Sequence, residues 1–274
     1  MSDVLTSPFK FNDKTIFVAG GTSGINFGIA ENFAINGGNV IVMSRSQDKV
    51  DTAVEKLSSY GGKSMGFAAD VRDYEAVENA FAETTKQFGK LDVLISGAAG
   101  NFPALATDMS PNAFKSVIDI DLLGSYHVLR AAYPHLKKPG ASVINISAPQ
   151  AFVPMQLQSH VCAAKAGVDM LTRTLAMEWG SENIRVNSIV PGPIQDTEGM
   201  TRLAPTPDLV EAVKDSVPLQ RLGSTEDIAN TAMFLSSSQA SYISGVVLPV
   251  DGGWSLNGAG VMMDTLAKQM IGSK

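Results

Sequence analysis

The sequence predicts an α/β fold, a doubly wound domain whose seven-stranded parallel sheet is the middle of three layers. Three observations predict it. Short apolar runs alternate with longer amphipathic segments along the chain, the pattern of repeated strand–helix–strand units. Hydrophobic residues make up 45% of the 274 and charged ones only 18%, which supplies a large core and excludes a disordered chain. No repeat, low-complexity tract or linker interrupts the pattern, so residues 1–274 read as a single domain.

In chain order, the strand-like runs are 15–19, 39–43, 64–68, 91–95, 142–146, 185–190 and 246–250, short and apolar as strands covered on both faces should be. Helical periodicity fills 25–36, 48–59, 74–88, 111–135, 159–180 and 225–236. Residues 193–217 break the alternation and are rich in Pro, Thr and Met. They read either as a substrate loop acting as a lid over a site or as an irregular surface loop.

The first strand runs into Gly20-Gly21-Thr22-Ser23-Gly24-Ile25 and then a helix. Glycines there permit positive φ and close backbone approach, and a helix N-terminus offers free N–H groups to a pyrophosphate. This is the dinucleotide signature of a Rossmann-type sheet. A site for NAD needs an acid after the second strand to hold the ribose diol. The chain has Met43-Ser44-Arg45-Ser46 instead. Arg45 offers a fork of donors to a 2′-phosphate, with Ser44 and Ser46 beside it, so the expected cofactor is NADP(H). Asp70 and Val71, after the third strand, are placed beside the adenine.

Composition narrows the partners. A net charge of −6 argues against nucleic acid, which needs a basic face. Cys162 is alone, so no internal disulfide is expected, which suits a reducing compartment. The first ten residues lack the apolar core of a signal peptide, and no apolar run is long enough to span a membrane. Ile271-Gly272-Ser273-Lys274 is not a peroxisomal tripeptide, so a cytoplasmic location is expected. Three scattered histidines and one cysteine form no metal-ligand cluster, and no metal is expected.

Several further stretches, taken with the glycine turn, resemble the short-chain dehydrogenase/reductase family over residues 11–254. They are Ala98-Ala99-Gly100, Asn145-Ile146-Ser147, Pro191-Gly192-Pro193-Ile194 with Thr197, Leu219-Gln220-Arg221-Leu222-Gly223 and Asp251-Gly252-Gly253. The resemblance implies that Ala98, Ala99 and Gly100 line the cofactor and that Pro191, Gly192, Ile194 and Thr197 contact the nicotinamide end. Asn26 stands where the family has a glycine.

The departures are informative. Alignment on Lys165 puts Val161 at the family's catalytic Tyr position, Ala148 at its Ser position and Asp121 at its Asn position. None of the five tyrosines, Tyr60, Tyr74, Tyr126, Tyr133 and Tyr242, falls at that place. A ketone reductase needs an acid there to protonate the alkoxide. The loss is similar to that in the 2,4-dienoyl-CoA reductase branch, as are Ala98-Ala99-Gly100-Asn101-Phe102 and Thr197-Glu198-Gly199-Met200. Gln150 replaces the Tyr of the branch's mitochondrial type, whereas Asp121 and His160 look like its peroxisomal type.

The resemblance implies an oxidoreductase that reduces a conjugated enoyl or 2,4-dienoyl-CoA thioester with NADPH by hydride transfer to carbon. Lys165, Asp121 and His160 are its expected catalytic residues. Asn101, Phe102, Phe152, Met155 and Met200, with Leu157 and Leu203, are expected along the acyl chain, and Arg202 near a CoA phosphate. Two other readings stay open. One is reduction of another carbonyl or an imine through Asp121 or His160, and the other a non-catalytic NADP(H)-binding protein. Family members form tetramers, and the apolar patterns at 113–136 and 163–177 suit a homotetramer.

Overall fold

Residues 9–256 are described by a computed structural model of the chain, so the first eight of the ten N-terminal residues and the C-terminal tetrapeptide considered above lie outside them. The strands are β1 (Thr15–Ala19), β2 (Asn39–Ser44), β3 (Ser64–Ala68), β4 (Val93–Ser96), β5 (Ser142–Ile146), β6 (Arg185–Pro191) and β7 (Val247–Val250). They form one seven-stranded sheet in the order β3-β2-β1-β4-β5-β6-β7. Every pairing is parallel.

Alternation along β1 shows how the layers are filled. Ile16 and Val18 point into the core shared with α1 (Gly24–Ile35), α2 (Gln47–Ser58) and α9 (Thr225–Ser236). Phe17 and Ala19 point into the core shared with α3 (Tyr74–Phe88), α5 (Gly124–Ala132) and α6 (Ser159–Trp179). A central strand buried on both faces must be apolar at every position, which is why these runs are continuous rather than alternating. The strand order reverses between β1 and β4, and that switch point opens a crevice at the carboxyl ends of the strands.

The stretch 111–135, expected as one helix, is α4 (Pro111–Val117), a π-helical turn (Ile118–Leu123), α5 and a short 3₁₀ turn (Tyr133–His135). The Gly124 N–H bonds back to Asp119 O, and Ser125 Oγ donates to Asp121 O at 2.6 Å. The extra residue turns Asp121 inward, to 1% exposure, while Asp119 stays outside and pairs with Lys115. Wide turns of this kind recur at functional sites because they re-aim a side chain.

Residues 193–217 are not an irregular loop. They contain α7 (Glu198–Leu203) and α8 (Pro207–Ser216), each started by a threonine: Thr197 Oγ1 accepts from Met200 N at 3.2 Å and Thr206 Oγ1 from Leu209 N at 3.4 Å.

Helix α9 opens on a full capping box. Ser224 Oγ accepts from Asp227 N at 3.1 Å and Ser224 N donates to Asp227 Oδ2 at 2.8 Å. The Arg221 guanidinium completes it and lowers the Asp227 carboxyl to about 2. A depressed folded-state pKa gives stability that is complete above the ordinary value of 3.8 and is lost as pH falls towards 2. Asp227→Asn is therefore expected to cost about 1 kcal/mol at neutral pH. The gap from wild type, read from denaturant midpoints, should close as the solution is acidified; a gap independent of pH would contradict this assignment.

Candidate active site

The crevice above the switch point is a cleft of about 920 Å³, running from the β1–α1 turn past β4 and β5 to α7. That size suits a bound small molecule.

The β1–α1 turn is built for close approach. Gly20 has φ +78°, and a Cβ there would meet the Ala98 backbone at 2.9 Å. Gly24 has φ +55°, and a Cβ there would stand in the open cleft, with Thr197 Cγ2 nearest at 3.9 Å. Ser23 begins α1 without a side-chain cap, and the first turn holds no acid. The leading N–H groups of α1 therefore face the cleft unclaimed by side-chain oxygen, as a pyrophosphate cradle requires. Asn26, in place of the family's glycine, donates from Nδ2 to Gly97 O at 2.7 Å and straps the turn to the end of β4.

Beyond β2, Ser44 and Arg45 line one end of the cleft together with Lys49. Asp70 lines it too, but its carboxylate is held by Arg72, whose Nε and Nη2 donate at 3.0 and 2.6 Å, and this pairing lowers its pKa. Ser46 does not line the cleft; its hydroxyl caps α2 by accepting from Lys49 N at 3.4 Å. Two cations and the start of a helix thus meet at this end, a setting for a phosphate. Lys49 escaped the sequence reading, although its place four residues after Arg45, in the first turn of α2, is the signal.

At the other end Lys165 and Asp121 meet below the surface. Lys165 Nζ lies 3.4 Å from Asp121 Oδ2 and donates to Ile146 O at 3.1 Å. Asp121 Oδ1 accepts from Gly100 N at 2.7 Å. An ammonium has three N–H groups and Ile146 O claims one, so N–H groups remain for a ligand in the cleft that Lys165 lines. Val161 and Ala148 border the same space and contribute no hydroxyl.

Apart from Gly21 and Ser46, the residues expected around the cofactor line this cleft, from Gly20 through Arg45 and Ala98 to Thr197. Asn101, Phe102, Met155, Leu157 and Met200 line its outer part, whereas Phe152 does not: it is 50% exposed and turned to solvent. Leu203 ends α7, and its side chain lies outside the described atoms.

His160 also falls outside the lining. It is fully buried at the start of α6, its ring 4.5 Å from that of Phe102, and it reaches the cleft only through that ring. Burial lowers its pKa against the pull of Asp121 and keeps the ring neutral at neutral pH. Arg202 is engaged with Glu198 and donates to Asn101 O at 2.7 Å, tying α7 across the mouth of the cleft. Among the described residues no group of acids, histidines and cysteines could hold a metal ion, and no helix is long and apolar enough to cross a membrane.

Comparison with known proteins places this geometry in a family. Residues 19–255 match the family model described as enoyl-(acyl carrier protein) reductase. The peroxisomal 2,4-dienoyl-CoA reductase [(3E)-enoyl-CoA-producing] of Rattus norvegicus is 45% identical over 251 residues, covering 91% of this chain and 86% of that one. The enzyme of the same name from Arabidopsis thaliana is 41% identical over 262 residues, covering 91% and 88%. A short chain dehydrogenase from Bacillus anthracis, solved by crystallography, superposes with a TM-score of 0.80 at 35% identity and covers 88% of this chain and 96% of its own. The relatives' peroxisomal names overturn the cytoplasmic expectation. Compartment is read by a receptor from a short address, so neither fold nor composition carries it.

Proposed function

This chain belongs to the short-chain dehydrogenase/reductase family, and from that premise we propose that it is an NADPH-dependent reductase of 2,4-dienoyl-CoA thioesters. The observation that carries the reading is the buried Lys165–Asp121 pair beside Val161 and Ala148, a catalytic end with a cation but no phenol. The glycine turn, the uncapped start of α1 and the Arg45–Lys49 end fit a phosphorylated dinucleotide.

When bound, the reduced nicotinamide supplies a hydride to C5 of the dienoyl chain. The displaced electron pair runs through the conjugated bonds to the thioester oxygen. Lys165 stabilises that oxyanion and holds the nicotinamide ribose, and Asp121 orients the ammonium. A proton then adds at C2 and leaves the double bond between C3 and C4, the product named for the relatives. No acid is needed at the oxygen itself, so the missing tyrosine is tolerated. Phe102, Met155 and Met200 flank the acyl chain, and α7 with α8 forms the lid. Phe102 also relays the position of His160.

Incubation with NADPH and a short 2,4-dienoyl-CoA should consume both absorbances together and yield the 3-enoyl product. Absence of turnover across chain lengths would end the proposal. Arg45→Ala should raise the KM for NADPH by about 10- to 100-fold, the loss of a charge-assisted phosphate contact, and leave that for NADH unchanged. An equal rise for both cofactors would refute the 2′-phosphate assignment.

The assembly we propose is a homotetramer through the faces of α5, with the end of the π turn before it, and α6, where Leu123, Tyr126, Met170 and Met177 are exposed. Light scattering should return four times the chain mass; a monomer would contradict it.

A further inference from the structure

Asn26 departs from the family's glycine in the β1–α1 turn, and its amide is turned towards β4. The residue stands in the first turn of α1 and lines the cleft. Its Nδ2 donates at 2.7 Å to the carbonyl of Gly97, 71 positions away. Gly97 N donates in turn to the carbonyl of Ala19, the last residue of β1, at 3.1 Å. Gly97 is thereby bonded through both its N–H and its C=O to the β1–α1 unit.

The contact exists because residue 97 has no side chain. A Cβ on Gly97 would lie 2.3 Å from Asn26 Oδ1 and 2.6 Å from both Cγ and Nδ2, and these are its three nearest atoms. The φ of Gly97 lies outside the left-handed region, so its backbone does not call for glycine; the Asn26 amide does. Gly20 closes on the same point, where a Cβ would meet the Ala98 backbone at 2.9 Å and Asn26 Nδ2 at 3.2 Å. Asparagine at 26 and glycine at 97 are a matched pair.

The segment that follows is pinned at both ends. Gly97, Ala98, Ala99 and Gly100 all line the cleft, and Gly100 N is held at 2.7 Å by Asp121 Oδ1, beside Lys165. One end of the segment belongs to the glycine turn and the other to the catalytic corner. Asn26 Oδ1 is buried and has no donor among the described residues. An amide satisfied at one end only adds little to stability, which makes a purely packing role a poor account of it.

We propose that Asn26 is a positioning residue for the dinucleotide: its amide, seated where Gly97 has no side chain, holds the glycine turn and segment 97–100 together as one preformed cradle. The proposal rests on the reading of this cleft as a dinucleotide site. The two walls of the cradle follow different strands, β1 and β4. A ligand that touches both binds more tightly when they are fixed beforehand, because less ordering is left to offset its contacts. The strap acts away from the Arg45–Lys49 end, so it favours NADPH and NADH alike.

The test uses the full-length protein, the variants Asn26→Ala and Gly97→Ala, and their double variant. NADPH and NADH are titrated by their fluorescence without substrate. Asn26→Ala removes only the amide, and its Kd for both cofactors should rise about 10-fold, the scale of one net hydrogen bond. Gly97→Ala pushes the amide aside, so it should weaken both cofactors at least as much and lower Tm. In the double variant the added methyl meets no amide. Its Kd should match that of Asn26→Ala, and its Tm should recover above that of Gly97→Ala. With a dienoyl-CoA, the cofactor KM of Asn26→Ala should rise while the thioester KM does not follow. A folded Asn26→Ala with wild-type Kd for both cofactors overturns the proposal, whatever its Tm. So do losses that multiply in the double variant, or a loss confined to NADPH. If Gly97→Ala does not fold, Asn26→Ala decides alone. A wild-type protein that binds neither cofactor sinks the dinucleotide reading, whereas wild-type binding that Asn26→Ala leaves intact sinks only the role of Asn26.

Discussion

Lys165→Ala is expected to lower kcat for dienoyl-CoA reduction by about 100- to 1,000-fold, the cost of removing one preorganised donor from a developing oxyanion. Its cofactor KM should rise as well, because the same ammonium is assigned to the nicotinamide ribose. Stability should also fall, since the change strands Asp121, a carboxylate at 1% exposure that keeps only the Gly100 N–H. Breaking a buried pair from one side costs about 3–5 kcal/mol. Lys165→Arg should not rescue activity. The planar guanidinium is larger than the ammonium and would have to fit where Lys165 is 5% exposed between Asp121 and the Ile146 carbonyl. Steady-state kinetics and thermal melts on the same samples check both halves. A folded Lys165→Ala with wild-type kcat would remove Lys165 from the mechanism.

Asp121→Ala carries the second large effect, and comparison with Asp121→Asn separates its parts. Alanine removes the acceptor of the Gly100 N–H and the counter-charge of Lys165 together. The unpaired buried ammonium should destabilise the chain by about 3–5 kcal/mol, on the order of 10 °C in Tm for a domain of this size. Asparagine keeps an acceptor for Gly100 N–H and loses only the charge, so its stability should lie between alanine and wild type. Its kcat should nevertheless fall, because Lys165 loses the carboxylate charge that orients its ammonium. Equal stability of the two variants would show that the ion pair, and not the hydrogen bond to Gly100, holds this corner.

The same residues mark how far one dimension carries. Strands could be read within a residue or two because a sheet buried on both faces demands continuous apolar runs, a local property. β4 begins at Val93 rather than two residues earlier, and Asp92 just before it accepts from Thr15 N at 3.1 Å, a partner 77 positions away. Residues 111–135 read as one helix because a π turn keeps helical periodicity on both sides and shifts it by a single residue. Phe152 is expected at the site from its loop and His160 from the resemblance, yet one side chain faces solvent and the other is sealed behind Phe102. Lys49 went unread because charged residues on helices are ordinarily solvated, and only the fold brings this one to the cleft.

By itself the sequence determined the sheet, the glycine turn at Gly20–Gly24, the absence of an acid beside Arg45, and Lys165 without its tyrosine, since each depends on residue type at short spacing. The tertiary structure alone decided which polar groups meet. Asp121 reaches Lys165 through a π turn, Asn26 straps the glycine turn to Gly97, and Asp169 accepts from Ser188. Those contacts join residues 19 to 71 positions apart, and hydrogen bonds depend on angstroms and angles that sequence spacing does not encode.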